Sequence, residues 1–105
     1  MSDTVVVMAR LYPAEGQLPA MLDAIARTIG SIHAEDGCEL FAAHTAPDGT
    51  VVLIERWRSK EALAAHAAGS AVQAMREARA PFEARPGTVE LLAATGFGDP
   101  AKGML

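Results

Sequence analysis

"CELFAAHTAPDGTVVLIERWR", residues 38–58, decides the fold. Two runs rich in apolar and β-branched residues flank Ala46-Pro47-Asp48-Gly49. Asp-Gly between such runs signals a hairpin, because the turn needs backbone torsions that glycine adopts freely. The stretch therefore reads as two antiparallel strands, 38–45 and 50–58. With Asp48-Gly49 at the tip, Ala46 is expected to pair with Val51. His44 then faces Leu53, Ala42 faces Glu55 and Leu40 faces Trp57, since cross-strand partners share a face. This register gathers His44, Glu55 and Trp57 and sends Phe41, Val52, Ile54 and Arg56 to the opposite face. A slip of one residue would disperse the group.

Beyond the hairpin, Ser59 is placed to cap a helix over 59–69, with Glu61 in its first turn and Gly69 at its end. Ser70 and Gln73 then read as a capping-box pair opening a second helix, 70–83, that Pro81 stops. A last strand is expected over 87–94, followed by a glycine-containing tail, 95–105, that could strap a partner. On the other side of the hairpin, residues 4–12 form a β-branched strand closed by Pro13 and Gly16. Residues 17–37 change period: Leu18, Met21, Leu22, Ile25, Ile29 and Ile32 fall on one helical face, with Gly37 as the stop.

The order β-α-β-β-α-β defines an α+β, ferredoxin-like domain over residues 1–94: one antiparallel sheet with helices on one face. Because the first strand is apolar on both parities, its second face needs cover. A second sheet from a second subunit is the simplest candidate.

Composition limits the functions. The chain has 105 residues, half of them hydrophobic and 21% charged, which suits one globular domain. A net charge of −4 and a pI near 5.2 argue against nucleic acid as a partner. No leader or membrane-spanning pattern is read at the N-terminus, and no run of like charge suggests a membrane surface. With a single cysteine, Cys38, read as a small buried apolar residue, a cytoplasmic location is expected. No phosphate-binding glycine loop, serine-hydrolase elbow or zinc spacing occurs, so neither metal nor cofactor is expected.

Taken singly, the remaining polar residues read plainly. His66, three residues after Leu63, shares its helix face, and by type alone reads as a partly buried histidine bonded to a carbonyl. Trp57 reads as core. Glu55 reads either as a pocket acid with a raised pKa or as the partner of Arg10, Arg27 or Arg56, the ion pair being preferred. His33 is expected to help cap its helix, and Arg76, Glu77 and Arg79 to form a solvated face.

Together these residues point further. "ERWRSKEALAAH" (55–66) resembles the signature of the antibiotic biosynthesis monooxygenase superfamily: Glu, one residue, Trp, a polar turn, and a helix ending in Ala-His. "EDGC" (35–38), with Phe41 three residues after the cysteine, and "VVVMARLYPAEGQLPAMLDAI" (5–25) are similar to it as well. The resemblance spans roughly residues 4 to 94. It implies a homodimeric α/β barrel with a pocket between each subunit's sheet and helices, and a monooxygenase, an oxidoreductase that oxidises a phenolic or quinol-type aromatic with O2 and no cofactor. It implies His66, Trp57 and Glu55 as catalytic residues: His66 the base or an orienting donor, Trp57 a wall for the ring, Glu55 a partner that fixes polar groups. His44, Phe41, Leu53, Leu63 and Met75 are the expected substrate-binding residues. Two alternatives stay open: a non-catalytic dimer that binds a small ligand, and a haem-binding or haem-degrading protein. The haem-degrading branch uses an Asn on the first strand, a Trp on the second helix and a His on the third. Ala9, His66 and a residue near Arg76 stand there in this chain, so the pattern departs from that branch.

Overall fold

The computed structural model describes residues 3–105. The chain runs β1 (Val5–Pro13), α1 (Leu18–His33), β2 (Cys38–Thr45), β3 (Val51–Trp57), α2 (Lys60–Ala67), α3 (Ser70–Arg79), a 3-10 turn (Ala80–Phe82) and β4 (Glu83–Leu92). The strands form one antiparallel sheet in the order β2-β3-β1-β4, the ferredoxin-like arrangement expected from the element order.

Strand alternation sorts the core. Val7, Ala9 and Leu11 of β1 and Val51, Leu53 and Trp57 of β3 pack with Met21, Ile25 and Ile32 of α1 and Met75 of α3. The opposite parity, Val6, Met8, Ile54 and Arg56, faces away from the helices; Val6 is buried and the other three are half-buried. That face is continuous with Leu92, 42% exposed, which pairs with Val6.

The hairpin carries the main correction. Its loop is three residues, Pro47-Asp48-Gly49, closed by Ala46 N–H donating to the Thr50 carbonyl at 2.9 Å and Gly49 N–H to the Ala46 carbonyl at 3.0 Å. Gly49 has φ of 86°, the left-handed conformation that this loop type requires. Thr45 therefore pairs with Val51, one residue earlier than the expected Ala46. Leu40 to Thr45 change face as a result, and a register shift between Cys38 and Leu40 sets Cys38 opposite Trp57. Phe41, not Ala42, stands opposite Glu55 and enters the core at 4% exposure. His44 pairs with Val52 on the other face and is exposed.

Other boundaries move for local reasons. Helix α1 ends at His33, four residues before the expected stop, and the chain turns to Gly37 at φ of 86°. A Cβ there would lie 2.5 Å from that of Ala62, so glycine is required twice over. Helix α2 keeps its expected cap, Ser59 Oγ accepting from Ala62 N–H at 3.1 Å. The Ser70–Gln73 capping box does not form. Gly69 is the N-cap of α3, Ser70 is already helical, and Gln73 donates instead to Glu77. Strand β4 starts at Glu83 rather than residue 87. Pro86-Gly87 does not break it, because β4 is an edge strand and the ladder shifts register between Arg10 and Tyr12, opposite them. A Cβ at Gly87 would meet the Leu11 side chain at 2.9 Å and the Arg10 carbonyl oxygen at 3.0 Å.

Candidate active site

A cavity of about 550 Å3 lies between the helix-facing side of the sheet and helices α2 and α3. This is within the ~300–1,000 Å3 range of small-molecule sites. Its floor is apolar, with Val7 and Leu53 from the sheet, and Leu63 and Val72 close it from the helices. Glu55 from β3 and His66 from α2 reach it, with Arg76 and Arg79 of α3 and Glu83 of β4 also on its border. Strand alternation delivers Glu55 to the floor beside Leu53. The three-residue step from Leu63 delivers His66. Val89 and Leu91 of β4 border the cavity while remaining 65% and 64% exposed, so its edge-strand side is open.

His66 is 5% exposed and held on three sides. Its ring lies on that of Trp57, centroids 4.3 Å apart at 31°, and is tilted against Phe41 at 5.9 Å. Its Nδ1 is 2.8 Å from Glu35 Oε1. The carboxylate accepts, so the neutral ring carries its proton on Nδ1 and its Nε2 lone pair is free to accept. No described residue hydrogen-bonds Nε2.

Glu55 is 5% exposed. The expected ion pair is absent, because Arg10 bonds Thr50, Arg27 bonds Asp23 and Arg56 bonds Glu39. The partner of Glu55 is instead Trp57, whose indole N–H donates to Oε1 at 2.9 Å. Burial pushes the Glu55 carboxyl above the usual range. The Trp57 N–H and the neighbouring His66 and Arg79 offset part of this, and Glu35 adds to it. The folded state binds the Glu55 proton more tightly than the unfolded chain, so the stabilisation is present below the reference value of 4.5 and is lost as pH rises through the raised folded value. Glu55→Gln is therefore expected to gain in melting temperature over wild type as pH rises from about 4 to about 8. A difference independent of pH would contradict a raised Glu55.

The expected site residues thus separate. Glu55, His66, Leu53 and Leu63 border the cavity. Trp57, Phe41 and Met75 stand behind it, at 0%, 4% and 0% exposure, and Trp57 backs His66 instead of forming a wall. His44 is excluded by the register. Arg76 and Arg79 are not simply a solvated face: both reach the cavity, and Arg79 is bonded to Glu83 at 2.8 Å, the two side chains 13% and 21% exposed. His33 does not cap its helix but bonds the Phe41 carbonyl at 2.8 Å, tying α1 to β2. Cys38 is half-buried, and burial, with Glu35 and Glu55 nearby, pushes its thiol pKa up, away from reactivity. Glu35 is the residue that sequence reasoning missed. It follows α1 in the turn of "EDGC", and no spacing rule links it to His66, 31 positions on.

The fold and this cavity define an α+β, ferredoxin-like protein with Glu55 and His66 at the border of one cavity between sheet and helices. The sequence model of the family "Antibiotic biosynthesis monooxygenase" matches residues 4–78, and the chain belongs to that family. It is 41% identical over 70 residues to Rv0793 of Mycobacterium tuberculosis, a protein named as a candidate monooxygenase. That match covers 63% of this chain and 66% of the relative, just under two-thirds of the relative's length. The solved structure of Rv0793 superposes with a TM-score of 0.77 at 32% identity, covering 86% of this chain and 93% of that one. A Nitrosomonas europaea protein, titled as a candidate antibiotic biosynthesis monooxygenase, reaches a TM-score of 0.81 over 90% of this chain and 93% of its own. At 18% identity it speaks for the fold alone. Among the described residues, no helix is long and apolar enough to cross a membrane.

Proposed function

We propose that the chain is a cofactor-independent monooxygenase, oxidising a phenolic or quinol-type aromatic with O2 in the cavity beneath α2 and α3. One observation carries the reading: His66 borders the cavity while its Nδ1 is bonded to a carboxylate, which leaves Nε2 as the nitrogen able to accept. That is the arrangement of a general base. The hydroxyl of an aromatic substrate, or the acidic CH2 of its anthrone-type tautomer, gives its proton to Nε2. The electron-rich anion then passes electrons to O2. For a CH2 oxidised to a carbonyl, one oxygen atom stays on carbon and the other leaves as water, so the substrate supplies all four electrons. Glu55, steadied by the Trp57 N–H and with its carboxyl pKa pushed up by burial, can donate to the substrate oxygen when protonated. The apolar floor and the Leu63 and Val72 side chains reduce the water around the anion.

The molecule acts as a homodimer in this reading, located in the cytoplasm. The apolar parity of β1 and β3, with Leu92, meets its counterpart, and the tail with Phe97, 79% exposed, lies against the partner.

The test is O2 uptake with an anthrone or reduced naphthol, with and without chelator. Turnover insensitive to chelator is expected. No uptake, with Trp57 fluorescence changed by the ligand, would move the protein to the binding class. A Soret shift on adding haem would move it to haem handling.

A further inference from the structure

One side of α3 faces the cavity: Val72, Arg76, Arg79 and Ala80 all border it, and their spacing is that of a single helix face. The two arginines on that face differ. Arg79 is half-buried and held by Glu83 at 2.8 Å, so its charge is balanced. Arg76 is exposed, and among the described residues its side chain has no hydrogen bond, ion pair or ring partner. Every other arginine is engaged. Arg10 bonds Thr50, Arg27 bonds Asp23, Arg56 bonds Glu39 and Arg58 bonds Asp36, while Arg85 stands 3.9 Å over the Tyr12 ring. The cavity therefore has polar groups at two depths. Glu55 and His66 are each 5% exposed, within it, and a free guanidinium stands at its mouth.

We infer that Arg76 is a specificity-determining residue, whose guanidinium holds a carboxylate carried by the aromatic substrate at the mouth of the cavity. The inference rests on the cavity being the site of an aromatic hydroxy compound, and it narrows that class to acidic members. A guanidinium presents its N–H donors in a planar fork that matches the two oxygens of a carboxylate. One free guanidinium balances one negative charge, which suits a carboxylate better than a phosphate. Because Arg76 is exposed, the acid group stays hydrated on one side, and its recognition does not require burying a charge. The apolar ring meanwhile enters over Val7 and Leu53. Two fixed points, the carboxylate at Arg76 and the hydroxyl at His66, then set the orientation of the ring.

The experiment compares two ligands that differ at one position, 1,8-dihydroxyanthrone-3-carboxylate and 1,8-dihydroxy-3-methylanthrone, by calorimetric titration under argon at about pH 7. The proteins are wild type, Arg76→Gln and Lys60→Gln. Lys60 likewise has no partner among the described residues, and it borders the groove that adjoins the cavity through Leu63, Ala67 and Leu91, so it controls for unspecific attraction. Arg76→Gln is expected to weaken binding of the carboxylate by about fivefold or more and that of the methyl compound by less than about twofold. Lys60→Gln is expected to change neither by more than about twofold. In air, the loss in Arg76→Gln is expected in KM for the carboxylate. Equal changes for the two ligands in Arg76→Gln, an equal loss of carboxylate binding in Lys60→Gln, or no binding of the carboxylate by wild type overturns the inference. Binding under argon separates it from the monooxygenase reading. A carboxylate preference that Arg76→Gln abolishes, without O2 uptake in air, supports the role of Arg76 and removes the oxidation. Oxidation of both ligands, with no difference between them in Arg76→Gln, removes the role of Arg76 and leaves the oxidation standing.

Discussion

His66→Ala is expected to lower kcat for oxidation of an anthrone-type substrate by about 100-fold or more while the fold survives. Positioned proton transfer contributes typically ~10²–10⁴-fold, and Glu55, which also borders the cavity, is tied to the Trp57 N–H at 2.9 Å. The substitution also removes a ring that packs on Trp57 at 4.3 Å, so some stability is lost with it. His66→Gln keeps more of the volume and should show the same loss of rate with a smaller drop in melting temperature. The measurement is initial O2 uptake at saturating substrate, with circular dichroism confirming the fold. An unchanged rate in both variants would remove His66 from the chemistry.

Trp57→Ala is expected to cost roughly 3–5 kcal/mol in denaturant unfolding followed by circular dichroism. Trp57 is fully buried, and the indole N–H is the hydrogen-bond partner of a buried carboxyl. Removing it leaves both a cavity and a Glu55 oxygen without its donor, which pushes the cost toward the upper end. Trp57→Phe retains most of the ring and loses only the N–H, so about 1–3 kcal/mol is expected. If Trp57→Ala unfolds at wild-type denaturant concentrations and loses only ligand binding, Trp57 belongs to the substrate surface and not to the core. The two families of variants separate the roles of neighbouring rings: His66 is expected to carry rate, and Trp57 stability.

Much of the molecule was legible from local pattern. The helical period of Leu18 to Ile32, the β-branched run after Thr4 and the Asp-Gly turn each report on residues within a few positions of one another. So does the Ser59 cap. Their order was enough for the ferredoxin-like topology. Glu55 and Leu53 were assigned to one strand face, and His66 and Leu63 to one helix face, for the same reason. The register of the hairpin was not legible to one residue. Asp48-Gly49 is compatible with more than one loop length, and the difference lies in Gly49 taking the left-handed conformation of a three-residue loop. Phe41 and His44 exchanged places on that account.

What the sequence by itself determined is therefore the set of elements, their order and the faces within β3 and α2, because periodicity is a property of neighbouring residues. Only the tertiary structure decided what meets across elements. It brought Glu35 to His66 across 31 positions. It gave Glu55 an indole partner two residues away in preference to any arginine, and set Trp57 behind His66 instead of beside the cavity. These choices depend on how closely α2 packs on β3 and how the turn after α1 folds back, distances that no spacing along the chain encodes.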